Sequence, residues 1–495
     1  MSKLSQLKNF IDQALEKGLV AYDSETDSLD TMNANIIGFS LCFQKGRAVY
    51  VPVAKEAQDL FSNEDYISLK DCLIELQRLF SDPKIKIFMH NAKFDLKVLI
   101  NNIKKTFQLS YEEAFSKILK DNFHDTMIFA WILNPEHTSK NGYSLEFLGE
   151  KELSLKGINF SDIVEKNQTF AALPLNKATA YAAEDADFTF QIGQKQVEKL
   201  KAEETLSELF NLEMKILPVL TKMELEGFHL ESSILKKYNE ELSEGINQVE
   251  KSIYAEVGHE FNIASPKQLQ AVLFEERHLK PSKKTKTGYS TDTNVLEELA
   301  YLDSVPKMIL EYREMAKLKS TYVETLPKLT DSEGRIHTDF VQTGTATGRL
   351  SCREPNLQNI PVRSEAGRKI RSAFTAPKGK VLISADYAQI ELVVLAHLSQ
   401  DENMCKSFNE GTDVHKATAA LIYNVPMEEV TAQMRRTAKT INFGVIYGMS
   451  AFRLARDLGI SRSQAASFIE NYFTMYKSVD SFIKETIEGA EKNGY

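Results

Sequence analysis

The chain has 495 residues, 43% of them hydrophobic and 26% charged, which is ordinary for a globular protein and enough for about two to four domains, each with its own core. No apolar run reaches the length of a membrane span, the N-terminus MSKLSQLKNFIDQALEKG lacks the apolar centre of a signal peptide, and Cys42, Cys72, Cys352 and Cys405 form no zinc spacing or disulfide framework, as expected of a reducing cytoplasm. A net charge of −9 leaves nucleic-acid binding open, because a polyanion responds to local patches rather than to the total.

Leu4 to Lys17 has an amphipathic helical period, and Gly18 is placed to end it. Strands are predicted at Leu19–Tyr22, running into Asp23-Ser24-Glu25-Thr26, and at Ile36–Phe43, Ala48–Val53 and Ile85–Met89. Helices are predicted over Ile67–Phe80 and Phe94–Ile103. The expected fold is α/β, a mixed sheet covered by helices, as a first domain at 1–195. Asp23 and Glu25 are two apart, so a strand puts both on one face. Asp95 follows a predicted strand in HNAKFD, and Tyr181 and Asp185 in YAAEDAD share one helix face at a spacing of four. Taken singly, each acid reads as a solvated surface residue.

From Leu206 to Leu329 the pattern is almost wholly helical. One segment runs from Leu206 to Glu226 and is stopped by Gly227, and another runs from Ser232 to Val257. KPSKKTKTGYSTDT (Lys280 to Thr293) is basic and rich in hydroxyls, first of all a solvated loop. These residues make up a second domain at 196–330, and 331–495 a third. In the third, Arg349 lies in TGR, and Asn356, Gln358 and Asn359 in PNLQNIP are ordinary turn residues on local grounds. Val381-Leu382-Ile383 is predicted as a strand ending at Asp386, followed by a helix from Ile390 to Leu398. Near 433–449, Arg435, Lys439, Phe443 and Tyr447 recur every four residues and form one helical stripe of two cations and two aromatics. A last helical stretch covers Gln464 to Gly489.

Four motifs in this third region, TGTATGRLSCREPNLQNIPVR (Thr343 to Arg363), DYAQIELVVLAHLS (Asp386 to Ser399), DVHKATAA (Asp413 to Ala420) and RRTAKTINFGVIYGMSAF (Arg435 to Phe452), resemble those of family A DNA polymerases, the bacterial DNA polymerase I group. In the first region DSET, NAKFD and YAAED resemble the DEDD exonuclease superfamily in its tyrosine variant, whose fold is RNase H-like. That resemblance implies a 3′→5′ exonuclease in which Asp23, Glu25, Asp95 and Asp185 hold two divalent ions, Mg²⁺ or Mn²⁺, and Tyr181 orients the attacking water. Leu29 and Asn91 would touch the frayed 3′ end of single-stranded DNA. The helical middle would be a thumb whose lysines, including Lys317 and Lys319 in KLKSTY, grip phosphates without reading sequence. The rest would be an incomplete α+β palm with helical fingers, acting on primer–template DNA and deoxynucleoside triphosphates. In it, Asp386 would hold metal, and Arg349, Asn356, Gln358 and Asn359 would probe the minor groove at the primer end. Arg435 and Lys439, with His415 near them, would hold the triphosphate, Phe443 would pack the nucleotide and Tyr447 would stack at the template. Gln389 would also touch the nucleotide, and Glu391 would be the gate against a ribose 2′-hydroxyl.

Three departures from the family pattern accompany this reading. No 5′ nuclease region precedes Met1, Val393 stands where the family carries arginine, and no equivalent of the third palm motif, with its second metal-binding aspartate, follows Gly448. The sequence therefore leads to the expectation of replication or repair polymerisation with proofreading in a bacterial cytoplasm or nucleoid. Polymerisation by this chain alone is not expected without a palm segment, supplied in trans if by a second chain. An exonuclease whose polymerase half only holds DNA and a non-catalytic DNA-binding remnant are the alternatives.

Overall fold

A computed structural model describes residues 1–54, 66–136, 142–165, 168–285, 288–362 and 364–494. Lys286 and Thr287 of the basic stretch, Arg363 and Tyr495 lie outside the described residues. The fold is mixed α/β and helix-rich, 62% helical, and divides into two units, Met1–Val381 and Leu382–Tyr495.

The first unit opens with α1 (Leu4–Lys17), which buries Leu7, Phe10, Ile11 and Ala14 and ends at Gly18 in the left-handed conformation, φ 68°, with its N–H on the carbonyls of Ala14 and Leu15. Strands β1 (Leu19–Thr26), β2 (Ile36–Cys42), β3 (Ala48–Ala54), β4 (Ile67–Ser68), β5 (Lys86–Met89) and β6 (Phe123–Asp125) form one sheet in the order β4-β3-β2-β1-β5-β6. The pairs β1–β2 and β2–β3 are antiparallel, and β1–β5, β5–β6 and β3–β4 are parallel. Alternation sorts β1: Val20 and Tyr22 enter the core with Phe39 and Phe80, and Ala21 faces Phe88, Ala186 and Phe190 on the other side. The predicted helix at Ile67 starts later, as α2 (Leu69–Ser81), because Ser68 caps it by accepting from Asp71 N while Ile67–Ser68 pairs as β4. Helix α3 (Ala92–Phe107) is longer than predicted at both ends.

On the face of Ala21 lies the helix Leu175–Ala202, packed across β1, β2 and β3. Its buried Ala178, Ala182 and Ala186, four apart, leave room for that approach. The helix crosses residue 195 without a break. Beyond it, the helices Glu204–Glu226 and Ser232–Val257 end at Gly227 and Gly258. The basic stretch contains a small hairpin, Lys284–Thr285 with Gly288–Tyr289, and Lys283 pairs with Asp292 at 2.8 Å. A second hairpin of this unit, Asp339–Val341 with Ser351–Arg353, is held in place by Trp131 Nε1, which donates to Thr345 O at 3.0 Å, and by Gln342 Nε2, which donates to Glu213 Oε2 at 2.7 Å.

The second unit, among the described residues, consists of helices around Leu395, Met404, Ile422, Ile441, Val445, Tyr472 and Tyr476. One expectation is corrected here. Val381-Leu382-Ile383 forms no strand, and its side chains are exposed by 79%, 55% and 87%. β-branched residues favour a strand only where a neighbouring strand accepts their backbone groups and covers one face, and no described strand pairs with this run. Asp386 therefore sits on an exposed segment without regular secondary structure rather than at a strand end. The stretch Gln464–Gly489 is helical as expected, in two helices, Arg462–Met475 and Lys477–Asn493, that meet at Tyr476, whose buried hydroxyl lies 3.0 Å from Thr418 Oγ1.

Candidate metal centre and nucleotide-binding helix

Strand β1 presents Asp23 and Glu25 toward the helix Leu175–Ala202, which presents Tyr181 and Asp185 in return. Carboxylate oxygens of Asp23, Glu25 and Asp185 all lie within 4.8 Å of one another. Asp95, in the first turn of α3, is 2% exposed, and its Oδ1 accepts from Ser24 N at 3.1 Å and Ser24 Oγ at 2.5 Å. Asn91 caps α3 in the left-handed conformation, φ 61°, held by a bond from its N to Asp125 Oδ1 at 3.2 Å. Leu29 is 88% exposed on the loop after β1.

Burial pushes the Asp23 carboxyl up to about 7. Burial first, and then the charges of their acidic neighbours, push Glu25, Asp95 and Asp185 up as well. A hydrogen bond from Tyr181 works against that rise at Asp185, and burial keeps the Tyr181 hydroxyl protonated. Glu25 Oε1 has no hydrogen-bond partner among the described residues. Crowded, desolvated carboxylates with an unsatisfied oxygen are the donor set of a hard divalent ion, so the residues fit such a group. Among the described residues this is the one such cluster of three or more acids, histidines or cysteines.

A cavity of about 490 Å³ opens on these groups. Asp23, Asn91, Tyr181 and Asp185 line it, and so do Lys93, Asp339, Gln342 and Arg353. The last three come from the second hairpin, where Asp339 and Arg353 are cross-strand partners. Sequence reading did not single out Lys93, Asp339 or Arg353. Arg353 stands inside a motif, but nothing local relates it to acids more than 160 positions earlier. Lys93 Nζ bonds to Glu224 Oε1 at 2.5 Å, to Asp339 Oδ1 at 2.7 Å and to Phe340 O, and Lys97 Nζ bonds to Glu224 Oε2 at 2.6 Å. Although burial opposes it, the charge of Lys93 holds the Asp339 carboxyl below its usual range.

Elsewhere in the first unit, Lys317 and Lys319 stand at the end of the helix Ser304–Leu318, with Lys319 Nζ 3.6 Å from Glu324. Asn356 Oδ1 accepts from Gln358 N at 3.1 Å, Gln358 Nε2 donates to Leu350 O at 3.0 Å, and Asn359 O accepts from Tyr322 at 2.7 Å. Arg349 lies in the loop leading into Ser351–Arg353.

In the second unit the stripe forms on the helix Ala432–Ile446, with Tyr447 just past its end. Arg435 Nε bonds Asp413 Oδ2 at 2.7 Å, and Lys439 Nζ lies 6.0 Å from the Phe443 ring centre. His415, from the helix Val414–Tyr423, is 5.7 Å from that ring and bonds Asn442 Nδ2 through Nδ1 at 2.9 Å. Burial, with the charges of Arg435 and Lys439, pushes its imidazole down to about 4. Tyr447 donates its hydroxyl to Glu391 Oε1 at 2.6 Å, tying the end of this helix to the helix Ile390–Ser399, which Gln389 caps. His415, Arg435, Lys439 and Phe443 are thus one cluster, and Glu391 with Tyr447 a pair. Asp386 joins no described carboxylate cluster.

The first unit thus carries a buried acid cluster on a mixed sheet, and the second a helix with a stripe of cations and aromatics. Residues 232–495 match the family "DNA polymerase family A" and residues 1–201 match "3′-5′ exonuclease"; the chain belongs to DNA polymerase family A. It is 43% identical to DNA polymerase I of Treponema pallidum and 40% identical to that of Borreliella burgdorferi, in each case over 99% of this chain and 51% of the relative. The chain therefore spans about half the length of the relatives it matches. A solved POL domain of Pol1 from M. smegmatis, in complex with DNA primer-template and dNTP, superposes with TM-score 0.80 at 29% identity, covering 99% of this chain and 78% of that one. Domains of both matched types generally depend on divalent metal, and this chain has a carboxylate cluster. Nothing in these comparisons supports a palm segment supplied in trans. Among the described residues, no helix is long and apolar enough to cross a membrane.

Proposed function

We propose that the chain is a DNA-directed DNA polymerase of the polymerase I type with a 3′→5′ proofreading exonuclease, working in DNA replication or repair in the bacterial cytoplasm. The observation that carries the exonuclease is the convergence of Asp23, Glu25 and Asp185 within 4.8 Å, with Asp95 held beside them by Ser24. These four acids would hold the divalent ions, with magnesium or manganese as the physiological choice. Bound divalent ions supply the activation of water and the neutralisation of the leaving oxygen in phosphodiester hydrolysis. The protein's own part is positional. Ser24 fixes the Asp95 carboxylate, and Tyr181, protonated and bonded to Asp185, orients the attacking water. Leu29, exposed at a loop tip, and Asn91 would bracket the last bases of a single-stranded 3′ end.

The remaining assignments follow the family. Residues 1–195 would be the exonuclease, 196–330 the thumb and 331–495 palm and fingers. Lys317 and Lys319 would hold duplex phosphates, and Arg349, Asn356, Gln358 and Asn359 would read the minor groove. Asp386 would hold metal. His415, Arg435 and Lys439 would hold the triphosphate, with Gln389 and Phe443 against the nucleotide, Tyr447 at the template and Glu391 as the sugar gate. Supporting this, the M. smegmatis domain was solved with primer-template and dNTP, and the cationic end of the stripe here is anchored by the bond from Arg435 Nε to Asp413 Oδ2 at 2.7 Å.

Digestion of a single-stranded oligonucleotide tests the exonuclease. D23A/E25A is expected to abolish metal-dependent 3′→5′ shortening with the far-ultraviolet circular dichroism unchanged. Digestion by the double variant at the parent rate overturns the assignment.

A further inference from the structure

On the exonuclease reading the carboxylate cavity admits a polyanion, and a cation on its wall would guide the backbone phosphates that lie beyond the acids' own divalent ions. Lys93 and Arg353 are the two lysine or arginine side chains among its described lining residues. His90 also lines it, but burial pushes that imidazole down to about 4, so it is neutral at physiological pH. Lys93 is already committed: Glu224, Asp339 and the carbonyl of Phe340 take its three donors, and its side chain is only 10% exposed. Arg353 is in the opposite condition. Its Nε donates to Asp339 Oδ2 at 2.7 Å, its side chain is 64% exposed, and its terminal nitrogens make no hydrogen bond to any described residue.

Arg353 also borders a second cavity of about 560 Å³, shared with Leu29, Asn91 and Lys97. It therefore stands on the wall between the exposed leucine and the acid cluster. The anchoring is of the kind that favours phosphate recognition. A carboxylate holds Nε, which fixes the plane of the guanidinium and leaves its outer fork to face a second anion.

We propose that Arg353 is a positioning residue of the exonuclease, taking a phosphate oxygen of the single-stranded DNA tail as it passes toward Asp23 and Asp185. The hairpin that carries it belongs to the sequence region matched by the polymerase family, so the editing site draws its phosphate clamp from outside residues 1–201. This rests on the exonuclease reading of the acid cluster. Arg353 is not needed to seat the hairpin, which Trp131, Gln342 and the bond from Phe340 N to Glu224 Oε1 at 2.7 Å hold independently.

The test compares the full chain with R353A and R353K on an oligothymidylate labelled at its 5′ end, in magnesium, across a range of KCl. R353A is expected to raise KM about tenfold and leave kcat within about twofold, because a charge-assisted contact to the entering strand is lost while the reacting groups stay. The slope of log KM against log salt should become shallower by about 0.7, the value for one phosphate contact on a single strand. R353K should keep the slope and recover part of the affinity. Trp131 is the single tryptophan and is bonded to the hairpin, so its emission reports the hairpin's seating directly. Unchanged emission with a changed slope supports the phosphate contact. An unchanged slope overturns it, and so does a shifted emission with a fallen kcat, which means a structural role. Oligothymidylate binding by fluorescence anisotropy in EDTA applies the same slope criterion without turnover. If the parent chain does not digest at all, the exonuclease reading falls, and the anisotropy slopes still decide whether Arg353 meets phosphate.

Discussion

Replacing Asp23 by Asn should stabilise the metal-free protein at alkaline pH while destroying its metal response, a combination that a purely structural acid would not give. Asp23, Glu25 and Asp185 place carboxylate oxygens within 4.8 Å of one another. Two unit charges at that distance repel by about 3–4 kcal/mol at an effective dielectric constant of about 20. Burial pushes the Asp23 carboxyl from 3.8 up to about 7. A displacement of about three pK units corresponds to about 4 kcal/mol, a cost that comes from burial and is separate from the repulsion between the charges. The sign follows from proton binding. Between about pH 4 and about pH 7 the native state holds a proton that the unfolded chain has released, so stability falls as pH rises through that window and stays low above it. Asn carries no charge and escapes the penalty. Thermal unfolding followed by circular dichroism in EDTA is the assay. With about 3 kcal/mol recovered and about 2–4 °C per kcal/mol for a domain of some 200 residues, D23N should melt roughly 6 °C or more above the parent near pH 8.5. Near pH 4.5 the two should converge. Manganese at about a hundred times its dissociation constant adds about 2.7 kcal/mol to the parent and should add far less to the variant. A variant that melts below the parent at alkaline pH in EDTA, or that gains as much from manganese, refutes the reasoning.

Three other perturbations have direct readouts. K439A, which removes the cation above Phe443, should weaken deoxynucleoside triphosphate binding at least tenfold, as a charge-assisted contact of about 1.5–3 kcal/mol implies; an unchanged titration would remove Lys439 from the triphosphate site. E224A takes the shared partner from Lys93 and Lys97 at a position 2% exposed, and should cost about 3–5 kcal/mol in denaturant unfolding, the usual penalty for stranding buried charge. G193A pushes a methyl group to 2.6 Å from the buried Phe88 ring, so the helix Leu175–Ala202 must lift off the sheet; about 1–3 kcal/mol of stability should be lost, with the exonuclease rate falling as Tyr181 and Asp185 shift. Stability unchanged in either of these last two variants would contradict the packing described for it.

What the sequence determined by itself was periodic or local. The stops at Gly18 and Gly227, the strand carrying Asp23 and Glu25, and the four-residue spacings of Tyr181 with Asp185 and of Arg435, Lys439 and Phe443 all appear where hydrophobic alternation and helical period place them. The resemblance to family A, carried by contiguous motifs, agrees with the matched family. Tertiary structure decided whatever depended on a partner far along the chain. Val381-Leu382-Ile383 has the composition of a strand, but a strand is stabilised by its neighbour, and no described strand lies against it. Lys93 looks like a solvated cation beside the NAKFD acid until Glu224 and Asp339, 131 and 246 positions distant, fill its donors. Arg353 reads as one more charge in a motif until the hairpin register pairs it with Asp339 and turns it toward the acid cavity. Local pattern fixes which face a side chain occupies, because that depends on the backbone period alone; which charges meet across that face depends on how the elements pack, and only the folded chain decides it.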